Sequence, residues 1–182
     1  MALPVDITTG TWTLDPSHSE IGFTVRHAGI SKVRGQFTDA AATLDLAEDV
    51  TDSKVNATIK TASFDSGDVN RDGHVRGEDF FDVEQFPEIS FVSNNIVAKG
   101  DAYELQGDLT IKGVTRPVAL ETEFNGVAVD PFGNTRAGLS AETTISRKDF
   151  GLTWNAVLEA GGVLVSDKVA INLELAFIAP AA

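Results

Sequence analysis

Three histidines, His18, His27 and His74, are the side chains best suited to bind a metal or move a proton, and Ser19 lies directly beside the first. Ser19 and His18 would be a nucleophile and its base only if they faced each other. Neighbours on a strand point to opposite faces, and no G-x-S-x-G elbow surrounds Ser19. Three histidines can form a metal site, but structural roles explain them as well. His18 follows the Asp15 turn, where an imidazole can bond the backbone. A second constellation is Asp68-Val-Asn70-Arg-Asp72-Gly73-His-Val75-Arg-Gly-Glu-Asp79. It sets oxygen side chains at positions one, three and five of a calcium loop, glycine at six and a hydrophobe at eight. Its twelfth residue is Asp79 rather than the bidentate glutamate, and Val55 to Phe64 before it reads as strand, not helix. A calcium-binding structural barrel using Asp68–Asp79 is therefore the alternative reading of the chain.

The elements that must carry these residues are strands. In Ser19–His27, Ile21, Phe23, Val25 and His27 share one face and Glu20, Gly22, Thr24 and Arg26 the other. The same period of two predicts strands near 11–14, 19–27, 31–46, 53–64, 88–98, 102–112, 115–124, 136–145 and 165–178. Turn residues separate them, as at Lys99-Gly100-Asp101, Lys112-Gly113 and the loop from Asn125-Gly126 to Gly133-Asn134. In 31–46 the apolar parity switches between Val33/Gly35/Phe37 and Ala40/Ala42/Leu44/Leu46, which predicts a bulge or bend at Thr38-Asp39. Ser66 to Pro87 is a non-strand insert. Its end, Gly77 to Pro87, is read as a short helix over one barrel opening, with a second helical turn at Arg147–Phe150.

Composition narrows the function. The formal charge of −13 argues against nucleic acid and against rest on an anionic membrane surface. With no cysteine there are no disulfides and no thiolate chemistry. No apolar run is long enough to span a bilayer, so stable membrane insertion is not expected. Met1 to Gly10 lacks the basic flank and apolar stretch of a secretory signal, which, read as the natural start, predicts a cytoplasmic protein. With 182 residues the chain reads as one domain, 1–182.

Few edge defences are visible, which fits a closed barrel better than an open sheet. The inward parity carries Ile21, Phe23, Val25, Phe37, Ile59, Phe91, Leu105, Leu109, Ile111, Leu120, Phe124 and Leu139, interleaved with Gly35, Ala57, Gly107, Ala137 and Ala141. Periodicity alone leaves two outcomes open, a packed core or a container. A barrel of about eight strands is the size at which either occurs.

Several blocks together resemble the YceI-like family. They are Asp15-Pro-Ser-His18-Ser19-Glu-Ile21-Gly-Phe23-Thr-Val25-Arg-His27, Val33-Arg34-Gly35-Gln36-Phe37, and Arg71-Asp72-Gly-His74-Val75-Arg76-Gly-Glu-Asp79-Phe80-Phe81-Asp82 followed by Phe86-Pro87-Glu-Ile89-Ser-Phe91. Gly107 to Val118, Ile145 to Gly151 and Val165 to Val169 continue the match in order. The resemblance implies an all-β, lipocalin-like, closed antiparallel eight-stranded barrel with one or two short helices. It favours the container, and it implies a non-catalytic protein that binds, stores or transports a polyisoprenoid, an isoprenoid quinone or a fatty-acid-like lipid. Members are often homodimers, and many are exported to the periplasm. The expected ligand-binding residues are Ile21, Phe23, Val25, Phe37, Ile59, Phe81, Phe91, Leu109, Ile111, Leu120 and Leu139. Arg34, Arg76 and Arg147 are the candidate cations for a polar head group at the barrel mouth. No catalytic residue, metal or cofactor is expected beyond the bound polyisoprenoid or isoprenoid quinone.

Overall fold

The period-two segments pair into one antiparallel sheet that closes on itself, in a computed structural model that describes residue 3, residues 7–159 and residues 161–181. Met1, Ala2 and Pro4–Asp6, part of the segment read for a targeting signal, lie outside the described residues. Eleven strand segments run as eight long strands. β1 (Gly10–Leu14) and β2 (Glu20–His27) follow each other along the first, parted by a 3-10 turn at Pro16–His18. β3 (Ser31–Phe37) and β4 (Ala40–Leu46) make the second, and β5 (Lys54–Lys60) and β6 (Phe64–Asp65) the third. The others are β7 (Glu88–Lys99), β8 (Ala102–Ile111), β9 (Val114–Val129), β10 (Thr135–Ser146) and β11 (Lys168–Ile178). Closure falls on β11, which pairs with both halves of the first strand: Leu14 opposes Phe177 and Ile21 opposes Leu173.

The expected break in 31–46 lies at Thr38-Asp39, between β3 and β4. It lets Val33 and Phe37 on one side and Ala40, Ala42 and Leu44 on the other all face inward. Two further bulges were not visible as such. Asn94 is the extra residue between Ser93 and Asn95 on β7, and Asn125 is the extra residue opposite Gly138/Leu139. The second corrects the expected loop at Asn125-Gly126. Gly126 takes φ 122°, which glycine alone tolerates easily, so β9 continues to Val129 and the turn is confined to 130–134.

The insert also differs from expectation. Its helix, α1, is Val69–Arg76, not Gly77–Pro87. Asp68 caps it by accepting from the Arg71 N–H at 2.9 Å, and Gly77 ends it. Gly77–Pro87 is a run of turns, with Asp82 at φ 48°. The helical turn at Arg147–Phe150 is present as a 3-10 turn.

The packed core flanks the lumen rather than filling it. One cluster is built on Ile89, Phe91, Leu109, Ile111, Leu120, Phe150 and Leu152, and the other on Trp12, Leu14, Ala137 and Phe177. Trp12 is fully buried, and its indole N–H donates to the Thr8 carbonyl at 3.0 Å. Glycines on the inner face seat phenylalanine rings. A Cβ at Gly107 would lie 2.5 Å from both the Phe91 ring and the Val92 carbonyl oxygen. A Cβ at Gly35, which opposes Phe23 across the β2–β3 ladder, would lie 2.3 Å from the Phe23 ring. Gly107→Ala is expected to cost ~1–3 kcal/mol as overpacking, read as a lower urea midpoint. Gly35→Ala should cost less, because only its ring contact lies below 3.0 Å and a ring tip yields more readily than a backbone oxygen.

The closing seam carries a half-buried ionic knot. Asp15 accepts from the Ser17 N–H at 3.0 Å, the Ser17 hydroxyl at 2.7 Å and an Arg136 guanidinium N–H. Arg136 also donates to Asp130 at 2.8 Å. The hydrogen bonds from Ser17, Arg136 and His18 hold the Asp15 carboxyl well below the usual range, and Arg136, with Asn134, does the same for Asp130. A depressed folded-state pKa gives stability that is complete above the unfolded value, near ~4, and is lost as pH falls towards the folded value. Arg136→Met should therefore flatten the fall of Tm between about pH 4 and pH 2, where the parent loses this contribution.

Candidate functional site

A cavity of about 610 Å³ runs through the barrel. All eleven apolar side chains expected from the inward parity and the insert line it: Ile21, Phe23, Val25, Phe37, Ile59, Phe81, Phe91, Leu109, Ile111, Leu120 and Leu139. The last strand adds Val169, Ile171, Leu173, Leu175 and Phe177, one per two residues. Many of these residues are only half-buried, because they face an open lumen instead of a neighbour. Of the two outcomes that periodicity left open, the structure shows a hollow interior.

Near the helical insert, four rings narrow the tube. Phe23 stacks on Phe64 at 5.1 Å, Phe37 meets Phe81 edge-on at 5.7 Å, and Phe64 lies 5.9 Å from Phe81. Phe81 reaches the lumen although its segment is not helical, since the turns at 77–87 lay it across the opening. At the opposite end the lining includes Ile7, Leu46, Val50, Asp101 and Tyr103.

The basic side chains of the tube gather at the insert end, whereas Asp101 and Tyr103 lie at the other. Arg26, His27, Ser66, Arg71, His74 and Arg147 line it there. Arg71 is fixed by donating to the Ser66 hydroxyl at 2.7 Å and the Ser66 carbonyl at 2.8 Å. His74 pairs with Asp79 at 2.9 Å and stands edge-on to Trp154 and Phe80, with ring centroids 4.7 and 5.3 Å apart. Arg71, His74 and Val75 share a face because they stand three and four residues apart on α1. The sequence reading missed Arg71 and gave His74 no place in the tube. That spacing, together with the Asp68 cap, was the signal.

Of the three candidate head-group cations, Arg147 alone lines the tube. It is 4% exposed, and its guanidinium lies 6.0 Å from the Phe80 ring centre. It donates to the carbonyls of Ser166 (2.9 Å), Leu152 (2.7 Å), Trp154 (2.8 Å) and Val165 (3.3 Å). Burial pushes its pKa down, against the pull of Asp167, but a guanidinium so far above neutrality stays charged. The acid that acts on it is Asp167. Arg34 is corrected: it lies on the outer face of β3, opposite Thr24. Arg76 is corrected too: it turns away from the tube and donates to the Phe64 carbonyl at 2.6 Å.

The calcium alternative fails on geometry. Asp68, Asn70 and Asp72 belong to a helix and its cap, which spreads their side chains around an axis instead of converging them on an ion. Asp68 is occupied by the Arg71 N–H, and the buried Asp72 carboxylate accepts from the Ser66 N–H and hydroxyl. The Ser19 hydroxyl donates to the Asp15 carbonyl at 2.7 Å and accepts from the Ala176 N–H at 3.0 Å, so it is a seam residue. Ser17, His18 and Asp15 do meet, but serine and aspartate both contact the same ring nitrogen, Nδ1. A proton relay needs one partner on each nitrogen.

A closed eight-stranded antiparallel barrel around an apolar tube, with one helix at a polar mouth, is a lipocalin-like container. The chain belongs to the YceI-like domain family, whose pattern matches residues 12–177. A UPF0312 protein of Photorhabdus laumondii is 42% identical over 134 residues, 73% of this chain and 70% of that protein. One from Vibrio parahaemolyticus is 37% identical over 156 residues, 84% of this chain and 82% of its own. Among solved structures, the Campylobacter jejuni YceI protein has a TM-score of 0.72 at 29% identity, covering 86% of this chain and 90% of that one. BcnA of Burkholderia cenocepacia shares the fold, with a TM-score of 0.79 at 24% identity over 90% of this chain and 98% of its own. So does a polyisoprenoid-binding domain from Saccharophagus degradans, at 0.70 and 15% over 95% of this chain and all of its own.

Proposed function

We propose that this chain is a non-catalytic carrier or store of a long apolar molecule held inside the barrel, of the polyisoprenoid, isoprenoid quinone or fatty-acid-like class. The observation that carries this reading is the continuous apolar lining of a lumen of about 610 Å³, within the range of ligand pockets and elongated by the barrel that encloses it. Each methylene moved from water into such a tube contributes ~0.8 kcal/mol, and ordering a flexible chain offsets part of the gain. Selectivity then follows tube length and width. A polar head belongs at the insert end, where Arg71 and His74 supply the donors. The fold relative from Saccharophagus degradans, a polyisoprenoid-binding domain, supports the ligand class.

Native mass spectrometry of gently isolated protein tests the proposal. A co-purified apolar species released on denaturation is the expected result. Protein that emerges empty, and takes up no polyprenol, quinone or fatty acid when these are offered, overturns it.

A further inference from the structure

The outer wall beside the polar mouth carries an unusual charge. Arg26, Lys32, Arg34 and Lys168 line one shallow groove there with Thr24 and Ser166. Arg26 and Lys32 stand directly opposite each other on the β2–β3 ladder, an arrangement in which like charges repel. Among the described residues none of these four makes a salt bridge, whereas Lys60, Lys99 and Arg136 do, although Lys168 has Asp167 beside it. The chain has 14 basic residues and a net charge of −13, so this many cations in one groove are not a sample of its average surface. The outward acids of the same strands, Glu20 and Glu174, oppose each other further along the barrel.

Apolar tips project beside this groove. Ile30, in the β2–β3 turn, is 85% exposed, and Val157 and Val163 on the neighbouring loop are 85% and 46% exposed. The two loops are tied together by the Ala28 N–H on the Leu164 carbonyl at 2.7 Å and the Ser166 N–H on the Arg26 carbonyl at 3.0 Å. His27, Leu164 and Val165, between the tips, line the tube itself. Net charge argues against an anionic surface as partner; the groove itself argues for one, since no acid lines it and the acids of this end, Asp167 and the insert's Glu78, Asp79, Asp82 and Glu84, lie outside it.

We propose that this end of the barrel docks on an anionic phospholipid bilayer, with the cations on the headgroups and Ile30, Val157 and Val163 entering the interface, so that the tube opens towards the lipid. A bare polyanion would use the cations but leave the apolar tips in water, and so fits less of the surface. Glu159, exposed between the two valines, opposes the contact and is a built-in control.

Flotation of the full chain with vesicles tests this without reference to what fills the tube, so its failure would leave the carrier reading standing, and the reverse. Vesicles of phosphatidylcholine with about 30% phosphatidylglycerol should bind the protein at low salt, and vesicles of phosphatidylcholine alone should not. Arg34→Gln with Lys168→Gln should lower partitioning about 25-fold, the equivalent of ~1 kcal/mol per cation. Ile30→Ser should lower it about tenfold, and Glu159→Gln should raise it. All four positions are on the surface, so unchanged thermal melting will show that the variants fold. No association with the anionic vesicles overturns the proposal, as does association that the glutamine variants leave unchanged. Binding that ignores Ile30→Ser and is matched by a lipid-free polyanion such as heparin also overturns it, in favour of a plain electrostatic surface.

Discussion

Ala42→Phe with Ala57→Phe should abolish binding of long apolar ligands while leaving the barrel as stable as before, or more so. The two alanines oppose each other across the β4–β5 ladder, both face the lumen, and Ala57 stands opposite Phe91 on its other side. Rings placed there enter open space. Occluding about five methylenes' worth of tube removes ~4 kcal/mol of transfer free energy, about a thousandfold in affinity. New contacts with the opposite wall meanwhile add dispersion energy. A packed interior would respond the other way, since overpacking costs ~1–3 kcal/mol and binding would have nothing to lose. Fluorescent fatty-acid or polyprenol titration, paired with urea unfolding of both proteins, separates the two. Retained binding together with a lowered midpoint would mean that the lumen is not the ligand site.

Arg147→Ala carries the largest expected cost to the mouth. Its guanidinium satisfies the carbonyls of Leu152, Trp154, Val165 and Ser166, which lie on both legs of the segment joining β10 to β11. Hydrogen bonds to a charged donor contribute ~1.5–3 kcal/mol each, and these four act on one segment, so a combined loss of about 4 kcal/mol is expected rather than their sum. The loss should be local. Hydrogen exchange at 152–166 should accelerate by orders of magnitude, while amides of the β7–β8 and β8–β9 ladders keep their protection. Arg147→Lys should fail to rescue, because a single ammonium cannot span four carbonyls set around a planar fork.

These side chains also show what was legible in the sequence. The lumen wall was, because a sheet buried on its inner face imposes alternation that breaks only at the Thr38-Asp39 bend and the bulges at Asn94 and Asn125. Arg34 was legible by the same rule: it falls between Val33 and Gly35, hence on the outer face, and its choice as a mouth residue went against the pattern. Arg147 lies in a 3-10 turn, where alternation stops, and its burial depends on four carbonyls brought by a segment up to 19 residues away. Nothing local encodes that. The aromatic run Phe80–Phe86 resembles a helix face but lies in turns, and the signals that bound the real helix are the Asp68 cap and the terminating Gly77. The bulge at Asn125-Gly126 looked like a turn because a glycine with positive φ serves both purposes.

The division of β11 between two partners has a bearing on biosynthesis. Its pairing with Leu14 and Ile21 joins the last strand to the first, across more than 150 residues. While the chain is being made, β1 to β10 can zip as hairpins, but the greasy concave face stays open and two strand edges stay bare until residues near 178 clear the ribosome. Contacts of such long range form late and slowly, and an oily unclosed sheet is the species most prone to stick to its own kind. Nascent copies of this protein should therefore need a holding chaperone until β11 can pair, and a chain truncated before β11 should aggregate instead of persisting as a smaller barrel.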